Sequence, residues 1–151
     1  MLEAERASQN RLERVSLLHD AALLSEEKLG QEAQAVELYL RVLQLDPEHV
    51  DAGRRLAERF VAAEDWVQAE PIVEMLARKA TDRLEIARRN TQLGDAAEAL
   101  GRLDKAARHY ALALQADPES LPAALGQGKV HLARYEWAEA DRALRRLLSA
   151  H

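Results

Sequence analysis

Cysteine is absent from this chain, which excludes a disulfide framework, a thiolate metal site and a cysteine nucleophile. Proline and glycine are scarce, 4 and 6 in 151 residues, and aromatic residues make up only 4%. Long apolar runs are missing too. The uninterrupted ones are a few residues long, against the roughly 20 that a membrane helix needs, and no basic-then-apolar leader opens the sequence. A soluble, cytoplasmic chain without a membrane partner is the expectation. There is no surplus of basic charge: 21 Lys and Arg stand against 26 Asp and Glu, a net charge of −5. Nucleic acid is therefore not an expected partner, because its binding calls for a basic domain or stripe. An apolar fraction of 48% excludes a disordered tail, and the length is that of about one domain.

What remains is rich in Ala, Leu, Glu, Arg and Gln, the residues that lose least on entering a helix. Apolar residues recur at three- and four-residue steps, as in Val36, Leu40, Leu43 and in Leu103, Ala107, Tyr110, Leu114. No sustained period-two alternation competes, so the fold class predicted is all-α. Helix boundaries are expected at Asp46-Pro47, Asp117-Pro118 and Leu121-Pro122, where proline disfavours helix in the residue before it. Asn10 with Glu13 reads as a capping box that opens a helix. Gly30 and Gly101 each lie between two periodic runs, where a residue tolerant of positive φ permits a tight turn.

The chain is also similar to itself. Gly30, Ala35, Tyr39 and Asp46-Pro47 recur as Gly101, Ala106, Tyr110 and Asp117-Pro118, an offset of 71 residues (118 minus 47). Leu56-Ala57, Phe60, Ala69, Val73 and Leu76 repeat the spacing between them, and Gly128, His131, Tyr135, Ala140, Leu144 and Leu147 form a fourth copy. The small residues Ala35, Ala69, Ala106 and Ala140 follow at steps of 34, 37 and 34. The longer middle step predicts a third first-helix extended by almost one turn, capped by Thr81-Asp82 ahead of Arg83.

This pattern resembles the tetratricopeptide repeat, a pair of antiparallel helices about 34 residues long. Leu93-Gly94, Ala97, Gly101, Ala106, Tyr110, Ala113 and Pro118 satisfy nearly every signature position, with Asn90 in place of the first-helix Trp. The resemblance implies a right-handed α-solenoid of about four helix-turn-helix repeats. It spans residues 1–151 as a single domain, with repeats near 10–49, 50–80, 81–120 and 121–151, and has a concave groove lined by the first helices. Residues 1–9 are read either as the tail of a preceding helix or as an extension of the first.

No catalytic constellation accompanies the pattern. His19, His49, His109, His131 and His151 stand alone, without a second His or a carboxylate four residues away. Gly126-Gln-Gly128 follows no strand, so it is no phosphate loop, and Gly128 is read as a small helix-crossing residue. Glu26-Glu27 and Glu136 with Glu139 read as solvated faces. The chain is thus expected to be no enzyme, with no catalytic residue, metal or cofactor.

Three arginine clusters, Arg54-Arg55 with Arg59, Arg88-Arg89, and Arg142 with Arg145-Arg146, admit two readings: ion pairing within helices, or display in the groove. The family's geometry turns Leu17, Asp20, Leu24 and Glu27 toward the groove, then Asp51, Arg54, Glu58 and Val61, then Arg88, Thr91, Asp95 and Glu98, and last Pro122, Leu125, Lys129 and Leu132. Such a mixed surface suits a protein or an extended peptide. The implied partner-binding residues are Arg54, Glu58, Arg88, Thr91, Asp95, Leu125 and Lys129. Some members of the family hold chaperone tails with Lys and Asn, but Asp20 and Leu24 stand at those positions, so that function is not expected. The alternative is a structural module, a segment of a longer array, that makes a homo-oligomer end to end through Leu144, Leu147 and Leu148. The phrasing of the repeats resembles bacterial scaffold arrays, including myxobacterial ones that organise polarity and motility. That likeness implies an adaptor in a multiprotein assembly, with a small Ras-like GTPase as one partner class.

Overall fold

The computed structural model describes residues 2–149. Every regular element among them is an α-helix: α1 (Leu2–Glu27), α2 (Glu32–Leu45), α3 (Val50–Ala62), α4 (Trp66–Lys79), α5 (Arg83–Ala99), α6 (Leu103–Ala116) and α7 (Leu121–Ser149). The fold class is the all-α one expected. Its helix ends follow the local chemistry. α2 and α6 stop one residue before Asp46 and Asp117, whose backbone N–H groups donate to Val42 and Ala113. Asp82 caps α5 by accepting from the Glu85 N–H at 3.1 Å. His49 caps α3 with Nδ1, which accepts from the Ala52 N–H at 3.1 Å and so carries no proton itself. α5 runs for 17 residues against 13 in α3, an excess of about one turn.

Three tight turns join helices within pairs, and each places one residue at positive φ: Gly30 at 62°, Glu64 at 56° and Gly101 at 77°. The fourth copy of the pattern puts Tyr135 at this place, 34 residues after Gly101. A bulky tyrosine resists the left-handed region more than Gly30, Gly101 or even Glu64 does, and Tyr135 stays helical. The helix therefore continues, and α7 is one helix of 29 residues where a fourth helix-turn-helix pair was expected. Two further expectations need correcting. α1 runs unbroken from Leu2, so Asn10 and Glu13 lie inside it and open nothing. Gly128 crosses no helix, since a Cβ built on it meets no atom within 4 Å.

The chain divides into two compact units, Met1–Leu76 and Ala77–His151. In the first, Ala22, Ala35, Tyr39, Val42, Leu56 and Ala57 have no exposed surface. Gly53 lets α3 meet α4 closely, because a Cβ there would stand 2.5 Å from the Met75 methyl carbon. In the second unit, Ala97, Ala106, Tyr110 and Val130 form a cluster that Leu103 and Ala107 flank. Tyr110 lies between two glycines: a Cβ on Gly94 of α5 would approach its ring to 2.5 Å, and one on Gly126 of α7 would also collide with it. Small residues at the crossings thus make room for the tyrosines, as the repeat pattern requires.

Candidate functional site

Each unit carries a polar network built around a buried tyrosine. In the first, the Tyr39 hydroxyl donates to Glu26 Oε2 at 2.6 Å, and Arg55 and Arg59 reach the same carboxylate at 3.2 and 3.0 Å. Arg55 also pairs with Asp51 at 3.2 Å, and His19 Nε2 lies 2.5 Å from Asp51 Oδ2. The His19 and His49 rings are 4.8 Å apart, so two histidines that looked solitary in sequence meet across a helix pair. Glu26 is a half-buried hub tying α1 to α2 and α3, which corrects its reading as a solvated carboxylate. Burial opposes its ionisation, but the Tyr39 hydroxyl and the two arginines outweigh burial and hold its pKa below the ordinary 4.5. Asp51 is likewise held below 3.8, since His19 and Arg55 outweigh its burial.

The second unit differs in sign. The Tyr110 hydroxyl donates to Asp95 at 2.6 Å and lies 3.0 Å from Glu98 Oε2. Burial raises the Asp95 pKa above 3.8, and the Glu98 charge raises it further; the Tyr110 bond and Lys129 only partly offset them. The two networks should consequently respond to acid in opposite directions. Glu26 and Asp51, depressed in the folded state, stabilise the first unit fully above their unfolded values, and that stability is lost as pH falls through their folded values. Asp95, raised in the folded state, contributes stability that is fully present below its unfolded value and is lost as pH rises through its folded value. Amide exchange in the native state, taken from about pH 5 to about pH 3, should show α1 to α3 losing protection relative to α5 and α6. A parallel response of the two units would contradict the assignment.

Around these networks lie the residues singled out in sequence. In the first unit Arg54 and Glu58 are exposed on α3, as are Leu17, Asp20 and Leu24 on α1. In the second unit Arg88 is exposed, Thr91 is buried with its hydroxyl donating to the Ala87 carbonyl at 2.8 Å, and Asp95 is half-buried. Leu125 and Lys129 are exposed on α7. Arg88 and Thr91 line a cleft of ≈ 280 Å³ with Leu84, Gln92, Ser120 and Pro122, between α5 and the start of α7. Arg89 was grouped with Arg88, yet it is the largest fully buried side chain described, held by Glu85 at 2.7 Å and Gln92 at 3.0 Å. Its helical spacing to Glu85 was legible, but its burial depends on packing. Arg142 and Arg145 do pair within their helix, with Glu139 and Asp141. His109 meets Asn90 at 3.1 Å, His131 is exposed, and His151 lies outside the described residues. Among the described residues no group of three His, Asp or Glu side chains is arranged to hold a metal ion. None of their helices is long and apolar enough to cross a membrane.

Family profiles described as tetratricopeptide repeat match residues 28–89 and 87–120. The chain belongs to the tetratricopeptide-repeat family. Among curated proteins it is similar to lipopolysaccharide assembly protein B of Escherichia coli strain K12, and equally to that of Escherichia coli O157:H7. Each is 30% identical over 155 residues that cover 97% of the chain. The chain spans 40% of the length of these relatives. Among solved structures it resembles MamA (41-end) from Desulfovibrio magneticus RS-1, with TM-score 0.62, 21% identity, and 89% of this chain and 74% of that one covered. It also resembles the first tetratricopeptide domain of Spaghetti (RPAP3) bound to an HSP90 peptide. There the TM-score is 0.59 and the identity 18%, with 82% and 94% covered. At these identities the likeness establishes the tetratricopeptide solenoid as the fold. The repeat's signature positions explain both networks: the second-helix tyrosine that interlocks the pair is also the donor that anchors a first-helix carboxylate.

Proposed function

We propose that this tetratricopeptide protein is a non-enzymatic cytoplasmic adaptor that binds a protein or an extended peptide through the first helices of its repeats, each unit offering its own contacts. Family membership supports the protein-binding class, and the HSP90 peptide on the Spaghetti domain is an instance of a relative in fold that holds a peptide. The observation that carries the reading is the cleft of ≈ 280 Å³ beside Arg88, with polar Thr91, Gln92 and Ser120 among its lining. Exposed Leu125 and Lys129 on α7 and half-buried Asp95 on α5 complete the proposed contact set in the second unit, with Arg54 and Glu58 proposed in the first. A cleft of this size admits one or two side chains, and with Arg88 and Asp117 both in its lining it offers a charge of either sign to a polar segment of the partner. The curated relatives are bacterial and named for lipopolysaccharide assembly, which supports a bacterial setting for the adaptor. A small Ras-like GTPase is the partner class that the scaffold resemblance brings to the test.

The test is affinity capture from lysate of the source organism on the immobilised chain, beside R88E/K129E. Both positions are exposed, so the helical spectrum should be unchanged, while the captured protein should fall at least about ten-fold, as loss of paired charge at a rim and anchor predicts. Equal capture by both baits would sink the assignment of this face.

Self-association is the second reading. It is favoured by the exposure of Leu144, Leu147 and Leu148, at 59%, 62% and 77%.

A further inference from the structure

α1 presents a seat that is filled by a helix at the matching places of the molecule. The repeat register aligns Leu18 of α1 with Ala52 of α3 and Ala123 of α7, and neither alanine has any exposed surface. In each case the helix that packs alongside is the second helix of the pair before, α2 on α3 and α6 on α7. One turn past Ala123, Gly126 lies against the Tyr110 ring of α6. Among the described residues no helix takes that place over α1. Leu18 is left half-buried, and a cleft of ≈ 430 Å³ opens there, lined by Arg14, Leu17 and Leu18 of α1 and by Arg41, Gln44 and Leu45 of α2. Each helix thus contributes one arginine and, a turn further on, leucine, so that both walls are apolar with a basic end.

The sign of this lining sets the chemistry of what fills it. The cleft beside Arg88 includes Asp117, and one between α6 and α7 includes Asp104, whereas no carboxylate lines this one. Arg14 makes no ion pair among the described residues. Arg41 meets Glu37 one turn away on its own helix at 3.3 Å, and with both side chains more than half exposed that pair contributes little and exchanges readily for another carboxylate. We propose that this cleft docks an acidic amphipathic helix of a partner protein. Leucine-like side chains of that helix enter between Leu17, Leu18 and Leu45, while Asp or Glu on its flanks meet Arg14 and Arg41. The seat lies in the first unit and is separate from the cleft beside Arg88 in the second, so it adds a binding surface to the one proposed above.

The experiment is an NMR titration of the isotope-labelled whole chain with three synthetic helical peptides of about four turns. One carries Leu at three- and four-residue steps along one face with Glu on both flanks, the second has Lys for Glu, and the third has Ala for Leu. The Leu/Glu peptide should shift the amides of Leu17, Leu18 and Leu45 with a Kd below about 1 mM. The Ala/Glu peptide should bind at least about ten-fold more weakly, since it brings no large apolar side chain to the cleft. R14E/R41E changes two exposed side chains and should keep the helical spectrum. It should weaken binding of the Leu/Glu peptide at least about ten-fold and take the Leu/Lys peptide instead. R88E should bind the Leu/Glu peptide as the wild type does. No shift of these amides with the Leu/Glu peptide, or equal affinity of R14E/R41E for it, would overturn the proposal and leave the reading of the Arg88 cleft standing. Shifts at the same amides that follow protein concentration without peptide would make a second copy the occupant and overturn it too.

Discussion

Tyr110→Ala should lower the stability of the second unit by about 3–5 kcal/mol, the range for deleting a large buried ring. The ring is fully buried between α5 and α7, and the two glycines that admit it have no side chain of their own to fill the space it vacates. Removal also strips Asp95 and Glu98 of their shared donor, in a place where burial already disfavours the Asp95 charge. Tyr110→Phe separates the two contributions. It keeps the ring and deletes the hydroxyl, so its cost should be about 1–3 kcal/mol, that of an unsatisfied buried group. Urea unfolding, with amide protection in α5 and α6 reporting on this unit, gives both values. A loss below about 1 kcal/mol for the alanine variant would show that α5 and α7 collapse over the gap, against the packing described above.

Glu26→Ala should cost the first unit about 2–3 kcal/mol, because hydrogen bonds to charged groups contribute more than neutral ones. One carboxylate there serves the Tyr39 hydroxyl, Arg55 and Arg59, so a single truncation takes an acceptor from three donors at once, leaves Arg55 with Asp51 and Glu27, and loosens α1 from α2 and α3. The Glu26 side chain is 23% exposed, so water re-solvates part of what is lost and the estimate stays at the lower end for a charged network. Glu27→Ala is the control: that neighbouring carboxylate is exposed and reaches Arg55 only at 3.8 Å, and its removal should cost less than about 0.5 kcal/mol. Chemical denaturation monitored through α1 to α3 compares the pair, and equal effects would contradict the hub.

Much of this is legible in the amino-acid sequence. The step of 34 residues, Gly30 and Gly101 at the turns, and the small residues opposite Tyr39 and Tyr110 are local requirements of a helix pair, and each is written at its own position. The networks were not readable in the same way. Glu26 and Arg59 lie on different helices, His19 and Asp51 are 32 residues apart, and nothing in their spacing distinguishes a hub from a solvated charge. Arg89 and Arg88 are adjacent and chemically identical, yet one is buried and the other lines a cleft, because neighbours on a helix point about 100° apart.

The fourth repeat divides the two kinds of information most sharply. Its register, with Gly128, Ala140, Leu144 and Leu147, matches the other three and reads as another helix pair. The structure decides otherwise: Tyr135 stays helical at the place where Gly30, Glu64 and Gly101 take positive φ, and without that turn α7 runs on. Residue order alone determined the all-α class, the helix ends around Asp46, Asp82 and Asp117, and the repeat family, since these depend on propensity, capping and periodicity within a few residues. Tertiary structure decided which charges are buried, which histidines meet and which apolar stripe is left open, because those depend on which helices pack together and not on the residues within any one of them.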